Sequence, residues 1–198
     1  MGGIMALKRG ETHIAPIHLL DTNTGEYNIS YAKRYLPNEK LALIKGVKRI
    51  QGFMVPKGNP KDIKDFKDLT RKDIIFVNRQ RGAGTRILVD YQLEKFGING
   101  DEIVGYDREM TTHMAVAAAI TSGTADVGVG VYSAAKAMDL DFIPIGEEHY
   151  DFLILVEYLE NELTNAFLEV IRFQDFKEEL LTMGGYGVEG IGDIIYIE

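Results

Sequence analysis

The sequence predicts an α/β protein with parallel strand pairing, on three observations. Short apolar runs rich in β-branched residues alternate with amphipathic runs along the whole chain. The stretch from Phe76 to Arg86 joins one apolar run, Ile74–Val77, to a helical one, Ile87–Phe96, through a loop with two glycines. At 198 residues, 45% apolar and 26% charged, the chain can bury a core as one domain or as two small lobes.

The elements follow in order. Met1–Gly10 enters helical periodicity at once, with Gly10 as its stop. Thr12–Leu20 reads as a buried strand carrying a proline, and the turn-forming stretch Asp21–Asn28 follows. Ser30–Leu36 is a short helix halted before Pro37. Lys40–Val55 holds one or two strands, and Pro56–Pro60 is a turn cluster and lobe boundary. Asp62–Leu69 reads as a short helix ahead of the strand–loop–helix. Val104–Tyr106 is a short strand, Met114–Ser122 an alanine-rich helix ended by Gly123, and Ala125–Val131 a buried strand. Tyr132–Met138 is helical, Phe142–Ile145 is strand, and Tyr150–Val156 is a second lobe crossing. Asn161–Phe173 has helical spacing, with Asn161 or Thr164 as cap and Leu163, Phe167, Leu168 and Ile171 on one face. Phe176–Met183 is a last helix closed by Gly184 and Gly185, and the tail holds a short apolar strand.

Composition narrows the function. A net charge of −8 argues against a nucleic-acid surface, so clustered arginines serve something compact. The chain has no cysteine, which removes disulfides, thiolate metal sites and cysteine nucleophiles. No stretch approaches the length of a membrane span, and the N-terminus lacks the pattern of a signal peptide. The expected location is cytoplasmic, or extracytoplasmic if residues upstream of Met1 carry a leader.

The loop Arg79–Arg86 is the strongest site candidate. A strand that empties into a helix start through glycines presents unpaired N–H groups and the positive end of the helix dipole. Arg79, Arg81 and Arg86 add planar donors suited to oxyanions, and they would repel one another unless an anion or carboxylates sat among them. The loop is not a nucleotide-hydrolysing P-loop, because Thr85 and Arg86 stand where lysine should follow the second glycine. Thr111, Thr112 and His113 precede the alanine-rich helix and offer two hydroxyls and an imidazole at a second helix start, with plain capping expected of one threonine. His18 and Asp21 imitate half of a catalytic pair, but no serine or cysteine sits in a nucleophile elbow. The four histidines are too scattered to predict a metal site. No cofactor is expected. Tyr27, Tyr31, Tyr35 and Tyr106 are read as packing residues.

Several motifs carry a resemblance. They are Gly-Gly-Ile-Met-Ala-Leu-Lys-Arg-Gly-Glu (2–11), Ile-His-Leu-Leu-Asp-Thr-Asn-Thr-Gly-Glu-Tyr-Asn (17–28) and Gln-Gly-Phe-Met-Val-Pro-Lys-Gly-Asn-Pro (51–60). Val-Asn-Arg-Gln-Arg-Gly-Ala-Gly-Thr-Arg (77–86), Thr-His-Met-Ala-Val-Ala-Ala-Ala-Ile (112–120) and Gly-Thr-Ala-Asp-Val-Gly-Val-Gly (123–130) complete the set. Together they resemble the periplasmic-binding-protein-like domain of molybdate and tungstate handling. That domain is found fused to molybdopterin-biosynthesis proteins or helix-turn-helix regulators, and it is related to tungstate-binding components of ABC transporters and to LysR-type effector domains.

The resemblance implies a type II periplasmic-binding-protein fold: two α/β lobes, two crossing strands and a ligand cleft. Lobe 1 would be 1–54 and 152–198, and lobe 2 would be 55–151. It implies that Arg79 and Thr85 supply a guanidinium and a hydroxyl to an oxyanion, where related chains have a segment like Ser-Arg-Gly-Asp-x-Ser-Gly-Thr. This chain departs from that segment at Asn78, Gln80, Arg81 and Ala83, and Ala83 replaces a common hydroxyl. The family also carries a strand, a Ser/Thr-rich anion loop and a helix ahead of the Gly-Gly-Ile-Met-Ala-Leu region. The expectation is therefore that this first part of lobe 1 is missing, and that a fused or partner segment upstream of Met1 supplies it.

The expected function is non-enzymatic binding of a small inorganic oxyanion, molybdate or tungstate favoured. The expected ligand residues are Arg79, Arg81, Gly82, Ala83, Gly84, Thr85, Thr111, Thr112 and His113. A homodimer is a further expectation, with no direct nucleic-acid contact and no membrane span. The alternative is an effector-sensing module of a transcriptional regulator for a small organic anion. An enzyme acting on a phosphorylated substrate would rest on His18, Asp21 and His113 alone.

Overall fold

A computed structural model describes residues 2–197. Met1 and Glu198, the ends of the first-helix and lobe expectations, lie outside the described residues. The chain forms two compact units, Ile50–Glu147 and the discontinuous Met1–Arg49 plus Glu148–Glu198.

The discontinuous unit opens with helix α1 (Gly2–Lys8), strand β1 (Ile14–Ile17), helix α2 (Ile29–Tyr35) and the first part of strand β2 (Leu41–Val55). It ends with the last part of β6 (Asp141–Leu155), helices α6 (Glu162–Arg172) and α7 (Gln174–Met183), and strands β7 (Tyr186–Gly187) and β8 (Ile194–Ile197). Here β1 pairs antiparallel with β6, from Ile14↔Ile154 to Ile17↔Asp151, and β2 pairs antiparallel with β8 and β7. The parallel pairing read from the sequence is therefore corrected for this unit. Ala42, Ile44, Ile154, Leu168, Ile171 and Ile191 form its core. Asn161 caps α6 through its side chain, as expected. Leu163 does not share the buried face: it is 71% exposed, and Thr164 points inward in its place.

The continuous unit contains the rest of β2, strand β3 (Phe76–Arg79), helix α3 (Gly84–Phe96), strand β4 (Glu109–Met110), helix α4 (His113–Thr121), strand β5 (Val127–Val131), helix α5 (Tyr132–Ala137) and the start of β6. Strand β3 lies between β5 and β4 and runs parallel to both, as alternating strands and helices require, and β2 closes the other side of β5 antiparallel. Side chains alternate across this sheet. Phe53, Val55, Phe76, Val127 and Val129 pack with Val89 and Leu93 of α3 on one face. Met54 and Val77 meet Val116, Ala117, Ile120 and Ala135 on the other, and Val131 joins that cluster at the end of the strand, where α5 begins. Alanines bring α4 close to the sheet, and Gly128 must lack a side chain there. A Cβ at Gly128 would stand 2.5 Å from Val116 Cγ1 and 2.8 Å from the carbonyl oxygen of Val77.

Four elements depart from the sequence reading. The strand expected at Ile74–Val77 lies two residues later, because Ile75 is tied outside it: its N–H bonds Asp126 Oδ2 at 2.7 Å. Polar Asn78 enters the strand fully buried because its amide is satisfied, with Nδ2 donating to the carbonyl of Tyr106. Val104–Tyr106 is a turn around Gly105 (φ 91°), and the strand there is Glu109–Met110. Asp62–Leu69 gives only a 3-10 turn, Phe66–Thr70, capped by Asp65 and Asp68. The two runs near 142–145 and 150–156 are one strand, β6.

Candidate functional site

Parallel pairing puts the carboxyl ends of β3, β4 and β5 at one edge of the continuous unit, so the helices that follow them all begin there. Backbone and side-chain bonds bring the two predicted loops together. The Gln80 N–H donates to the Met110 carbonyl at 3.1 Å. Arg79 donates through Nε to the same carbonyl at 3.3 Å and through Nη2 to the Thr111 carbonyl at 3.0 Å. Its guanidinium is thus held by the loop that leads into α4. The link between Arg79 and Thr111 is one the sequence could not supply.

The two helix starts differ. Gly82, at φ 84°, turns the chain so that Ala83 can serve as N-cap of α3, and Ala83 brings no side-chain oxygen. The ladder of α3 begins with Ile87 N–H to the Ala83 carbonyl at 3.1 Å, so the N–H groups of Gly84, Thr85 and Arg86 precede it. Thr85 and Gly84 are buried in this first turn. At α4 the Thr112 hydroxyl accepts the Ala115 N–H at 3.0 Å, as expected for one of the two threonines. Thr111 and Thr112 are exposed and His113 is half-buried, with its Nδ1 3.3 Å from where a Cβ on Gly130 would sit. The dipole and donors of α3 are open, while α4 closes itself with its own cap.

The arginines also divide. Arg86 is 5% exposed in its side chain and paired: Nε donates to Asp90 at 2.9 and 3.1 Å, Nη1 to Glu109 at 3.3 Å, and its guanidinium carbon lies 4.2 Å from the Tyr106 ring centroid. Burial works against its charge, and the bonds to Tyr106 and Asp90 more than restore it, so its pKa is raised. Tyr106 donates to Asp90 at 2.7 Å, and burial followed by that bond raises the phenol pKa. Arg81 is exposed and pairs with Asp107 at 3.3 Å and Glu109 at 3.5 Å. The repulsion argument from sequence therefore needs no bound anion, because Asp90, Asp107 and Glu109 supply the countercharge. Sequence reading missed these carboxylates, since they sit 4 to 23 residues from Arg86 and only the β3–β4 register places Glu109 beside it.

The side chain of Asp21 hydrogen-bonds Ser30, which holds its pKa below the usual carboxylate range. The His18 ring stacks on Tyr150 at 5.1 Å, and Asp21 accepts the Asn23 N–H at 2.9 Å within its own turn. In the same unit Arg49 pairs with buried Glu148 and covers the Tyr150 ring at 4.4 Å, while Tyr27 stacks on His149 at 5.6 Å. Among the described residues no helix is long and apolar enough to cross a membrane.

Comparison with known proteins gives the family and the fold. The model of the PBP superfamily domain matches residues 1–172. The uncharacterized protein YvgK of Bacillus subtilis (strain 168) is 39% identical over 195 residues, which is 98% of this chain and 63% of YvgK, so the chain spans less than two thirds of that relative. An ABC-type phosphate transport receptor from Vibrio cholerae superposes with a TM-score of 0.56 at 15% identity, covering 93% of this chain and 83% of that one. The regulatory domain of NMB2055 (MetR), a LysR family regulator from N. meningitidis, superposes at 0.63 with 11% identity, covering 93% and 80%. At these identities the structures speak for the fold, which is the type II periplasmic-binding-protein-like α/β fold. With the domain model spanning most of its length, the chain belongs to the PBP superfamily of ligand-binding domains.

Proposed function

We propose that this chain binds a small oxyanion, with molybdate or tungstate favoured, and serves sensing, uptake or molybdenum-cofactor-related handling without catalysing a reaction. One observation carries the reading. The first turn of α3 is uncapped by any side chain among the described residues, while Arg79 is fixed beside it by the carbonyls of Met110 and Thr111. Backbone N–H groups at a helix start are preorganised anion donors. The buried Thr85 hydroxyl and the N–H groups of Gly84 and Arg86 form the wall, with Gly82 and Ala83 shaping the turn. Thr111, Thr112 and His113 flank it, Thr112 mainly by holding α4. Arg81 stands at the rim, and Arg86 acts by fixing the loop through Asp90 and Glu109.

A thermal-shift panel of molybdate, tungstate, sulfate, phosphate and small carboxylates tests this. A ligand at a hundred times its Kd stabilises by about 2.7 kcal/mol. For a chain of this size that is an upward shift of roughly 5–10 °C. Arg79→Lys keeps the charge but loses the fork, and should abolish most of the shift. If no oxyanion moves the transition, the reading is wrong. A shift with carboxylates alone would replace it with the organic-anion sensor.

A further inference from the structure

Of the buried polar side chains described in the continuous unit, Asn78 and Arg86 are held by hydrogen bonds, whereas Gln51 carries an oxygen that is not. Gln51 is 1% exposed, and its Oε1 has no hydrogen-bond partner. It lies on β2 with the same parity as Phe53 and Val55, whose side chains pack on the α3 face of the sheet. Gln51 pairs with Val131, the last residue of β5. Val131 is four residues beyond Val127, which pairs with Phe76, so Gln51 is level with Gln80, where the β3–α3 loop begins. It thus stands at the carboxyl edge of the sheet, level with the loop that leads into α3. The lateral separation is two strand spacings, about 10 Å. A glutamine side chain leaning across the sheet, together with one small oxyanion, is needed to span that distance.

We propose that Gln51 is a specificity-determining residue of the oxyanion site, turning its carboxamide to donate Nε2–H to an anion held at the α3 start. The inference rests on the oxyanion reading given above. A buried carboxamide oxygen without a partner is destabilising, and leucine would fill the same space on a strand whose next two residues of the same parity are Phe53 and Val55. The group that is unfavourable in the empty domain becomes favourable when a half-turn about its last torsion presents N–H to a ligand. A donor at this position suits molybdate, tungstate and sulfate, which carry no proton near pH 7. Phosphate still carries one there.

Two variants and a titration test the assignment. Gln51→Leu removes the unsatisfied group, so the empty domain should melt a few degrees higher than wild type while molybdate affinity falls about tenfold. Gln51→Glu can only accept, so it should lose molybdate and sulfate at least tenfold more than it loses phosphate. Calorimetric titration of both variants and wild type with each anion reads these ratios. Gln51→Leu binding as wild type, melting lower when empty, or Gln51→Glu weakening all anions equally would each overturn the assignment. Wild type that binds none of the anions overturns the oxyanion reading itself, and this inference with it. Wild type that binds while both variants bind unchanged overturns only the role of Gln51.

Discussion

Replacing Arg86 with leucine separates a residue that holds the loop from one that holds the ligand. The arginine side chain is 5% exposed, and its partners Asp90 and Glu109 are 45% and 31% exposed. Hydrogen bonds between charged groups contribute about 1.5–3 kcal/mol when both are desolvated. Water can take over much of each carboxylate here, so the low end applies: about 1.5 kcal/mol for Asp90 and about 0.5 for the longer contact to Glu109. The ring of Tyr106 at 4.2 Å adds about 1 kcal/mol. Leucine keeps most of the buried stem, so the loss is about 3 kcal/mol. For a chain of 198 residues that lowers Tm by roughly 6–12 °C. Differential scanning fluorimetry measures it, and circular dichroism confirms that the secondary structure is kept. The variant should still gain the molybdate shift of wild type. An unchanged or higher Tm with the molybdate shift gone would refute the reasoning, because Arg86 would then be reserved for the anion.

Two further outcomes follow from single contacts. Thr112→Ala removes the α4 cap and should cost about 1 kcal/mol, or roughly 2–4 °C in the same assay, while leaving anion affinity within about twofold; a tenfold loss of affinity would make Thr112 a ligand group. Burial, and then the charge of Glu148, push the Tyr27 phenol up to about 12, so the folded chain keeps that proton where the unfolded chain loses it, and stability falls between about pH 10 and 12. Tyr27→Phe should flatten that fall and remove the latest-titrating phenol from the ultraviolet absorbance curve; a profile that overlays wild type contradicts the assignment.

The fold class was legible because local signals agreed with it. Apolar runs with β-branched residues mark β3 and β5, and glycine at positive φ follows α1, α3 and α4. What failed was legibility of strand length and pairing. Glycines inside β2 and β6 read as breaks, although Gly46 and Gly52 mark places where neighbouring backbone comes too close for a side chain. Antiparallel pairing in the discontinuous unit depends on strands from distant parts of the chain, β1 with β6 and β2 with β8, and no local pattern encodes it. Periodicity places Leu163 on the buried stripe of α6, but the helix turns Thr164, Leu168 and Ile171 inward. At the candidate site, loop composition draws attention to the edge of the sheet where α3 and α4 begin. The division of labour among its arginines was hidden, because Glu109 and Asp107 reach them only through the β3–β4 pairing.

That division decides what kind of force would hold an anion. Arg79, Arg81 and Arg86 carry three positive charges, and Asp90, Asp107 and Glu109 carry three negative ones, so the cluster sums to zero in a chain whose net charge is −8. Long-range attraction is therefore weak, and binding must come from directed donors at short range: the N–H groups at the start of α3 and the fixed fork of Arg79. Such a site responds little to screening. Between 0.1 and 1 M of a salt that does not compete for the site, the Debye length falls from about 10 to about 3 Å. A site driven by net charge would lose most of its attraction over that range, whereas hydrogen bonds inside a few ångströms would not. Molybdate affinity measured across this series should change by no more than about threefold. A decline beyond tenfold would mean that the arginines act as a charge cluster, with their carboxylate partners displaced when the anion arrives.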